Sequence, residues 1–319
     1  MSALDIFLII LGSIAGLFLL WIIIGTITFF VSLRKGCFAG KIINGSFRKD
    51  LKHYKIDYSW WDKVKTEKIV VESGKEKLSG VILRNNSNKV AICVHGIFGF
   101  YKDMSPQAKF LYEQGFNILA VDLRSHGETT GKYISMGFFE KDDIVVWTKQ
   151  AIKIFGEQSQ IVLLGISMGA STVVFTSGEN LPKNVKCVVS DSGYKDAYEQ
   201  LKYVCKKKLH IPPFLVLPVA NMCCKIFVKF NLKDVRPIDS VKKTKLPILF
   251  FHGSDDKFVP CYMSKDMYEV SNKKICELVI TKGAGHVLSY SVDKENYQKH
   301  LTSFINKWIN WLIFVWLRF

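Results

Sequence analysis

A serine between two glycines is the most chemically suggestive feature of this 319-residue sequence. Ser167 is the centre of Gly165-Ile166-Ser167-Met168-Gly169, which fits the pattern G-x-S-x-G and follows an apolar, β-branched run over 160–164. A strand that turns sharply into a helix leaves no room for side chains two positions before and after the serine, which explains both glycines. A helix from Met168 would direct free N–H groups at an oxyanion beside the hydroxyl. The competing interpretation is a tight turn whose serine caps a helix.

A serine hydroxyl becomes a nucleophile only beside a base, which in turn needs an orienting carboxylate. His286 follows the predicted strand 275–280, and Asp256 follows the predicted strand 246–251. Parallel strands end at one edge of a sheet, so these side chains are expected to meet Ser167 there. Asp191, at the end of the predicted strand 185–189, is the alternative acid. For His286 taken alone, an ordinary loop histidine is the competing interpretation.

The elements that must position these residues form an alternating pattern of strands and helices. Short apolar runs without polar alternation predict strands that are buried on both faces, and therefore a mostly parallel sheet covered by helices. A predicted hairpin precedes them, with strands over 68–72 and 79–84. The remaining strands are predicted over 90–94, 117–121, 160–164, 185–189, 246–251 and 275–280, and the helices over 106–114, 139–155, 168–178 and 292–311.

Three further motifs accompany the serine pentapeptide. His95-Gly96-Ile97-Phe98-Gly99 fits H-G-x-x-G, Asp122-Leu123-Arg124-Ser125-His126-Gly127 fits D-x-R-x-H-G, and the pattern H-G-x-x-D-x-x-V-P falls on His252, Gly253, Asp256, Val259 and Pro260. With them the chain, from about residue 66 to 310, resembles the α/β-hydrolase superfamily. Within that superfamily it is similar to membrane-anchored bacterial serine hydrolases of the serine aminopeptidase and monoacylglycerol lipase kind.

The resemblance implies a role for each matching residue. Ser167, Asp256 and His286 would form a catalytic triad, in the chain order Ser, Asp, His that the superfamily uses. The backbone N–H groups of Ile97 and Met168 would bind the oxyanion. His126 would be structural, and Asp256 is preferred to its neighbour Asp255. Glu128 departs from the Ser or Thr that usually follows the D-x-R-x-H-G motif, which leaves the triad untouched.

The N-terminal segment predicts a membrane anchor. Residues 6–33 carry no charge over 28 positions, whereas about 20 apolar residues suffice to span a bilayer. A cleaved signal peptide is the competing interpretation, but residues 1–5 contain no Lys or Arg and no cleavage site follows. The basic residues that come next predict a cytoplasmic hydrolase domain by the positive-inside rule. These are Arg34, Lys35, Lys41, Arg48, Lys49, Lys52 and Lys55.

Composition limits the remaining interpretations. A hydrophobic content of 49% excludes disorder, and 44 Lys and Arg against 28 Asp and Glu give a net charge of +16, which favours an anionic partner such as phospholipid. Eight cysteines without C-x-x-C spacing suggest neither a zinc site nor a disulfide framework, and no metal or organic cofactor is expected. The predicted regions are the anchor 1–35, a basic juxtamembrane linker 36–65, the hydrolase core 66–191 and 237–312, a cap insert 192–236, and an apolar tail 313–319.

These features predict an enzyme that cleaves acyl esters, such as lysolipids or monoacylglycerols, at a membrane surface. An aminopeptidase-like activity on the same residues is the second interpretation, since the triad chemistry suits esters and amides alike. A catalytically inactive tethered module is the third. Nucleic acid is not expected as a partner, because the basic residues surround an anchor and a cap rather than base-stacking aromatics.

Overall fold

One mixed eight-stranded sheet organises the part of the chain that the computed structural model describes, residues 1–37 and 57–309. The strands are β1 Glu67–Ser73, β2 Glu76–Leu83, β3 Lys89–Val94, β4 Asn117–Val121, β5 Gln160–Ile166, β6 Val185–Asp191, β7 Ile248–Gly253 and β8 Glu277–Thr281. The helices are α1 Ala3–Leu33, α2 Trp60–Lys63, α3 Ser105–Glu113, α4 Glu140–Phe155, α5 Met168–Thr176, α6 Ala197–Lys207, α7 Pro213–Cys223, α8 Pro237–Val241, α9 Tyr262–Glu269, α10 Ser289–Val292 and α11 Lys294–Ile309.

The sheet has the strand order β1-β2-β4-β3-β5-β6-β7-β8. The β1–β2 and β2–β4 pairs are antiparallel, and every later pair is parallel. The carboxyl ends of β5, β7 and β8 therefore lie at the same edge, which is the edge where the predicted site residues follow their strands. The predicted α/β fold with a mostly parallel sheet is confirmed.

Helices cover both faces of the sheet, and the central strands show why their sequences are continuously apolar. In β3, Val90, Ile92 and Val94 belong to one buried cluster, whereas Ala91 and Cys93 belong to another. Successive side chains of a strand point to opposite faces, so each face of the sheet packs against its own helix layer. The eight cysteines are free thiols, and all but Cys261 are buried.

Helix α1 is long and apolar enough to cross a membrane, and it is the one single helix among the described residues with that property. A second segment passes the same test only as a pair of pieces, Pro213–Val228 and Leu232–Val241, bent by 94°. The first part of α1 is exposed, but Gly25, Phe29 and Leu33 near its end are buried. Backbone hydrogen bonds join the end of α1 and the residues after it to the domain: the Ile134 amide donates to the Leu33 carbonyl, and the Lys35 amide donates to the Lys132 carbonyl.

Two predicted regions fall partly or wholly outside the described residues. They are the basic linker 36–65, most of which is not described, and the apolar tail 313–319. Both regions therefore stay predictions. The last part of the linker is described, and it packs against the domain. Trp60 and Trp61 are buried in α2, where the Trp61 indole donates a hydrogen bond to Ser105 Oγ at 2.8 Å. Core packing, and not contact with a membrane surface, is therefore the environment of this tryptophan pair.

Between β6 and β7 the chain forms several short helices. Asp196 caps the first of them, α6, by accepting a hydrogen bond from the Glu199 amide. Pro213 begins α7, which continues into a π-helical turn over Cys224–Val228. Helix α6 is tied to the loop after β7, because Gln200 Nε2 donates to the Phe258 carbonyl at 2.7 Å.

Candidate active site

The turn between β5 and α5 holds Ser167 in a strained backbone conformation, with φ of 53° and ψ of −119°. A non-glycine residue at positive φ costs free energy and needs support from its surroundings. Here the Ser167 N–H donates to the Asp191 carbonyl at 2.8 Å. The flanking glycines allow the close approach, because a Cβ on Gly165 would lie 2.3 Å from the Gly169 oxygen and one on Gly169 would lie 2.2 Å from the Val94 oxygen. Ser167 therefore lies at a sharp turn that any residue larger than glycine at positions 165 and 169 would prevent.

Three side chains from distant parts of the chain form one chain of hydrogen bonds. Ser167 Oγ lies 2.8 Å from His286 Nε2, and His286 Nδ1 lies 2.7 Å from Asp256 Oδ2. These distances are those of good hydrogen bonds. Because an ionised carboxylate can only accept, Nδ1–H is the donor to Asp256, which leaves Nε2 of the neutral ring to accept from the hydroxyl. Ser167 is 6% exposed, so the hydroxyl is mostly shielded from bulk water. The structure brings these three predicted residues together.

The Asp256 carboxylate is buried but has several partners. Its Oδ1 accepts hydrogen bonds from the amides of Phe258 and Val259, both at 2.8 Å. Burial opposes ionisation of this carboxyl, but the interactions with His286 and His252 outweigh burial and lower its pKa below the usual range. Asp256 is therefore a carboxylate throughout the neutral range.

His252 is a partner of Asp256 whose role the sequence reasoning missed. This histidine is fully buried, and its Nε2 lies 2.9 Å from the Val259 carbonyl and 3.2 Å from Asp256 Oδ2. Its Nδ1 lies 2.7 Å from Ser264 Oγ, which fixes the ring from the other side. His252 is the first residue of the motif H-G-x-x-D-x-x-V-P, so the sequence contained a signal for it. The spacing of the motif alone does not show that the His252 ring contacts the Asp256 carboxylate.

Two backbone N–H groups beside Ser167 are the predicted oxyanion donors. In the part of the chain that the structure describes, neither the Ile97 nor the Met168 amide donates a turn, loop or cap hydrogen bond. The H-G-x-x-G loop runs close to the elbow, since a Cβ on Gly96 would lie 3.0 Å from the Ser167 Cβ. Met168 is the first residue of α5, where the helix dipole adds positive potential. The arrangement can accommodate a negatively charged oxygen beside the serine.

Asp191, the alternative acid, has other partners. Its carboxylate accepts hydrogen bonds from Ser192 Oγ at 2.9 Å and from the Tyr297 hydroxyl at 3.1 Å. Burial raises its pKa to about 6. In the described structure the carboxylate that hydrogen-bonds to His286 is Asp256, and Asp191 lies deeper, behind the elbow that it supports through its carbonyl.

The D-x-R-x-H-G motif forms a separate buried network. Asp122 accepts hydrogen bonds from the amides of Tyr101 and Glu128, and Arg124 pairs with Asp143 through two hydrogen bonds of 2.9 and 2.6 Å. Burial lowers the pKa of His126 to about 3, so its ring is neutral at ordinary pH. Within residues 1–37 and 57–309, no three His, Cys, Asp or Glu side chains cluster in a way that would hold a metal ion.

Comparison with known proteins gives the fold an independent basis. A family model described as the alpha/beta hydrolase fold matches residues 90–210. The chain is 27% identical over 219 residues to the Bacillus subtilis protein YqkD, covering 69% of this chain and 71% of that protein. It is 30% identical over 185 residues to human protein ABHD12B, an alignment that spans 54% of this chain and about half, 48%, of the human protein.

A solved structure resembles the chain over most of its length. The esterase Pf2001 of Pyrococcus furiosus superposes with a TM-score of 0.65 and 25% identity, covering 79% of this chain and 94% of the esterase. Fold, family match and structural neighbours agree with the resemblance seen in the sequence motifs, and together they support the α/β-hydrolase superfamily for this chain.

Proposed function

We propose that this chain is a membrane-anchored serine hydrolase that cleaves acyl esters, with Ser167 as nucleophile, His286 as general base and acid, and Asp256 as the orienting carboxylate. The observation that carries the proposal is the continuous hydrogen-bonded chain from Ser167 Oγ through His286 to Asp256. Its geometry meets the requirements of an activated serine, namely a base at hydrogen-bonding distance and a buried acid behind it. That the similar Pyrococcus furiosus protein is an esterase also supports a hydrolase.

The acylation step follows from this geometry. His286 Nε2 takes the Ser167 proton as Oγ attacks the ester carbonyl carbon, and the carbonyl oxygen becomes an oxyanion held by the N–H groups of Ile97 and Met168. Asp256 stabilises the imidazolium through the hydrogen bond from Nδ1–H. Collapse of the tetrahedral intermediate breaks the bond to the alcohol oxygen, which leaves with the proton from Nε2. Loss of one oxyanion donor typically reduces the rate ~10²-fold or more.

Deacylation uses the same groups in the second half of the cycle. Nε2 takes a proton from water, the resulting hydroxide attacks the acyl-serine carbonyl, and Oγ leaves with that proton. The acyl group departs as a carboxylic acid. No group beyond these side chains and backbone amides is needed for either step.

A preference for esters over peptides is supported by the carboxylates of the cap. An aminopeptidase needs a carboxylate to hold the substrate's α-amino group, but each acidic side chain of the segment 192–236 already has a partner. Asp196 pairs with Arg236, Glu199 pairs with Lys195 and accepts from the Tyr262 hydroxyl, and Asp234 accepts from Asn231. The same segment carries many lysines and exposed apolar residues, a combination suited to an acylated, anionic or amphiphilic substrate.

Membrane anchoring by α1 is the second part of the proposal. Residues 3–24 would reach about 33 Å at about 1.5 Å per residue, and the hydrocarbon core of a bilayer is about 30 Å thick. Basic residues follow directly after this helix, which favours the cytoplasm as the location of the hydrolase domain. A bilayer surface would concentrate acyl-ester substrates close to Ser167.

The experiment compares two substrate series on the full-length protein in detergent micelles. p-Nitrophenyl esters of increasing acyl length and aminoacyl p-nitroanilides are assayed with the wild type, with Ser167→Ala and, as a control, with Ser271→Ala, two residues after the end of α9. Ester hydrolysis by the wild type and Ser271→Ala, with loss of roughly 10⁴-fold or more in Ser167→Ala, is expected.

The other outcomes distinguish the competing functions. Faster cleavage of the anilides than of the esters would replace the esterase by a peptidase on the same residues. A wild type that cleaves neither series and does not react with fluorophosphonates would indicate a non-catalytic tethered module.

A further inference from the structure

The cap carries a group of exposed apolar side chains that a water-soluble surface would not normally display together. We call them the cap apolar face: Leu209, Ile211, Phe214, Leu215, Met222, Ile226 and Phe227. Phe214 is 70% exposed, and Met222 and Ile226 follow it at intervals of eight and four residues. Such spacing places the three side chains toward one side of the helical segment, whereas Val216, Leu217, Val219 and Ala220 between them are buried. Contiguous exposed apolar surface of this kind marks a contact site.

The other side of the same segment rests on α1. A Cβ on Gly25 would lie 2.3 Å from the Val219 Cβ, so the two helices are in close contact at this glycine. The Phe227 ring is 5.5 Å from the Phe30 ring and 6.0 Å from the Phe29 ring. The cap apolar face is therefore continuous with the exposed apolar surface of α1.

This contact fixes the depth of the cap relative to a bilayer. If residues 3–24 of α1 cross the hydrocarbon core, the part of α1 that touches the cap, from Gly25 to Phe30, begins at the membrane surface. Helix α7 and the turn after it then lie at the boundary between acyl chains and headgroups. Amphipathic helices bind at that depth with their apolar side chains directed into the membrane.

Lysines surround the cap apolar face. These exposed side chains are Lys202, Lys206, Lys207, Lys208, Lys225 and Lys229. An open cavity of about 650 Å³ joins the two kinds of surface, since Lys202, Lys206 and His210 line it together with Ile211 and Phe214. Cationic side chains next to an interfacial apolar surface attract anionic phospholipid headgroups.

We propose that the cap apolar face inserts into the bilayer leaflet on the hydrolase side of the membrane, with the surrounding lysines against anionic headgroups. The cap is thus a second membrane contact, held in place by α1. Insertion of the cap would also affect how substrate reaches the site. Gln200 of α6 donates a hydrogen bond to the Phe258 carbonyl, and the Phe258 ring lies 5.0 Å from the His286 ring, so the cap lies next to the proposed base. An inserted cap places the entrance to the site at the lipid surface, so that substrate enters from the membrane. The inference rests on the proposed anchoring by α1, but not on the proposed catalysis.

The test measures the depth of individual side chains in vesicles. The full-length protein, in a Cys261→Ser background, receives Phe214→Cys or Ile226→Cys, and each cysteine carries an environment-sensitive NBD label. Val70→Cys is the matched control, since Val70 is 62% exposed on the edge strand β1, and Leu8→Cys reports on α1 itself. Proteins are reconstituted into phosphatidylcholine vesicles with and without phosphatidylglycerol, and nitroxide-labelled lipids serve as quenchers. Hydrolysis of a soluble ester shows that each variant is folded, and thermal unfolding serves this purpose if the wild type lacks that activity.

Labels at positions 214 and 226 are expected to show blue-shifted emission and quenching by the nitroxide lipids, more strongly with phosphatidylglycerol, whereas the label at position 70 shows neither. Labels at 214 and 226 that behave like the one at 70, while position 8 is quenched, would overturn the inference and leave the anchor intact. A blue shift without lipid quenching would overturn it in favour of a protein partner, such as a second copy of the chain. An unquenched label at position 8 would refute the anchor and this inference together. The quenching does not depend on ester cleavage, so failure of the catalytic proposal leaves the measurement valid.

Discussion

His252 Nε2 lies 3.2 Å from Asp256 Oδ2, the same carboxylate oxygen that lies 2.7 Å from His286 Nδ1. Asp256 Oδ2 is therefore in contact with two rings, the buried His252 and the proposed base His286. Because His252 is also held by Ser264 and the Val259 carbonyl, the position of the Asp256 carboxylate is fixed by a ring that has little freedom to move. His252 therefore fixes the position of the carboxylate that hydrogen-bonds to His286.

Replacing His252 should impair turnover more than substrate binding. His252→Phe keeps a ring but removes both nitrogens, so Asp256 loses a donor and Val259 loses a partner for its carbonyl. A lost buried hydrogen bond to a charged group costs about 1–3 kcal/mol, and a tenfold rate loss corresponds to about 1.4 kcal/mol, so kcat should fall about 10- to 100-fold. Steady-state kinetics with a soluble ester measures kcat and KM separately.

The controls for His252 are milder changes in the same network. His252→Gln retains a donor and should recover part of the activity, and Ser264→Ala should reduce kcat only a few-fold. A His252→Phe enzyme that raises KM with kcat unchanged would show that the ring shapes substrate binding and does not position the acid.

The two candidate acids should differ sharply when each is changed to asparagine. Asp256→Asn leaves the shape but not the charge that stabilises the His286 imidazolium, and such a change typically lowers kcat by about 10⁴-fold. Asp191→Asn keeps an oxygen acceptor for Ser192 or Tyr297 and should leave kcat within several-fold of the wild type. Equal losses in both variants, in folded protein, would mean that Asp191 shares the role of the acid.

Asp191 should also make stability depend on pH. Burial raises its folded-state pKa to about 6 from an ordinary value of 3.8, so between these values the folded chain binds more protons at this site than the unfolded chain. The contribution of Asp191 to stability is therefore full below its ordinary pKa and decreases as pH rises to about 6. The loss corresponds to roughly 1–3 kcal/mol.

Asp191→Asn removes this titration. Thermal unfolding in detergent should show the variant gaining stability relative to the wild type as pH rises from about 4 to about 7. A difference between the two proteins that stays constant over this range would contradict the assignment of the raised pKa.

The contact between α1 and the cap can be tested with two glycines of the same helix. Gly25→Leu places a side chain where the Val219 side chain already lies, and overpacking of this kind typically costs 1–3 kcal/mol. Gly16→Leu is the matched control, because a Cβ on Gly16 meets nothing within 4 Å. The midpoint of thermal unfolding should fall in Gly25→Leu only. Equal midpoints for the two variants would show that α1 does not pack on the cap in solution.

The sequence predicted the parts of this structure that depend on local pattern. Continuous apolar runs predicted the buried parallel strands, and the short segment between two glycines predicted the elbow, because Gly165 and Gly169 are required by backbone contacts that any side chain would prevent. The strand ends moved by a few residues, as β5 and β6 extend to Ile166 and Asp191. Here hydrogen bonds between strands, and not apolarity, decide where pairing stops.

Other features depend on contacts between distant segments, which pattern does not encode. Nothing local to Gly25 indicates that Val219 packs on it, and nothing local to His252 indicates that its ring contacts Asp256. The Trp60-Trp61 pair suits a membrane interface or a core equally well by composition. Its burial is decided by neighbours such as Ser105, which lies 44 residues further along the chain.

The most direct test of the catalytic proposal is to locate the residue that a fluorophosphonate modifies in the full-length protein. Mass spectrometry of digested wild-type protein should find one phosphonate adduct, on Ser167, and His286→Ala should slow its formation by several orders of magnitude because the base is missing. Ser167→Ala should form no adduct. An adduct on another serine, or undiminished labelling of Ser167→Ala, would contradict the assignment of Ser167 as the nucleophile.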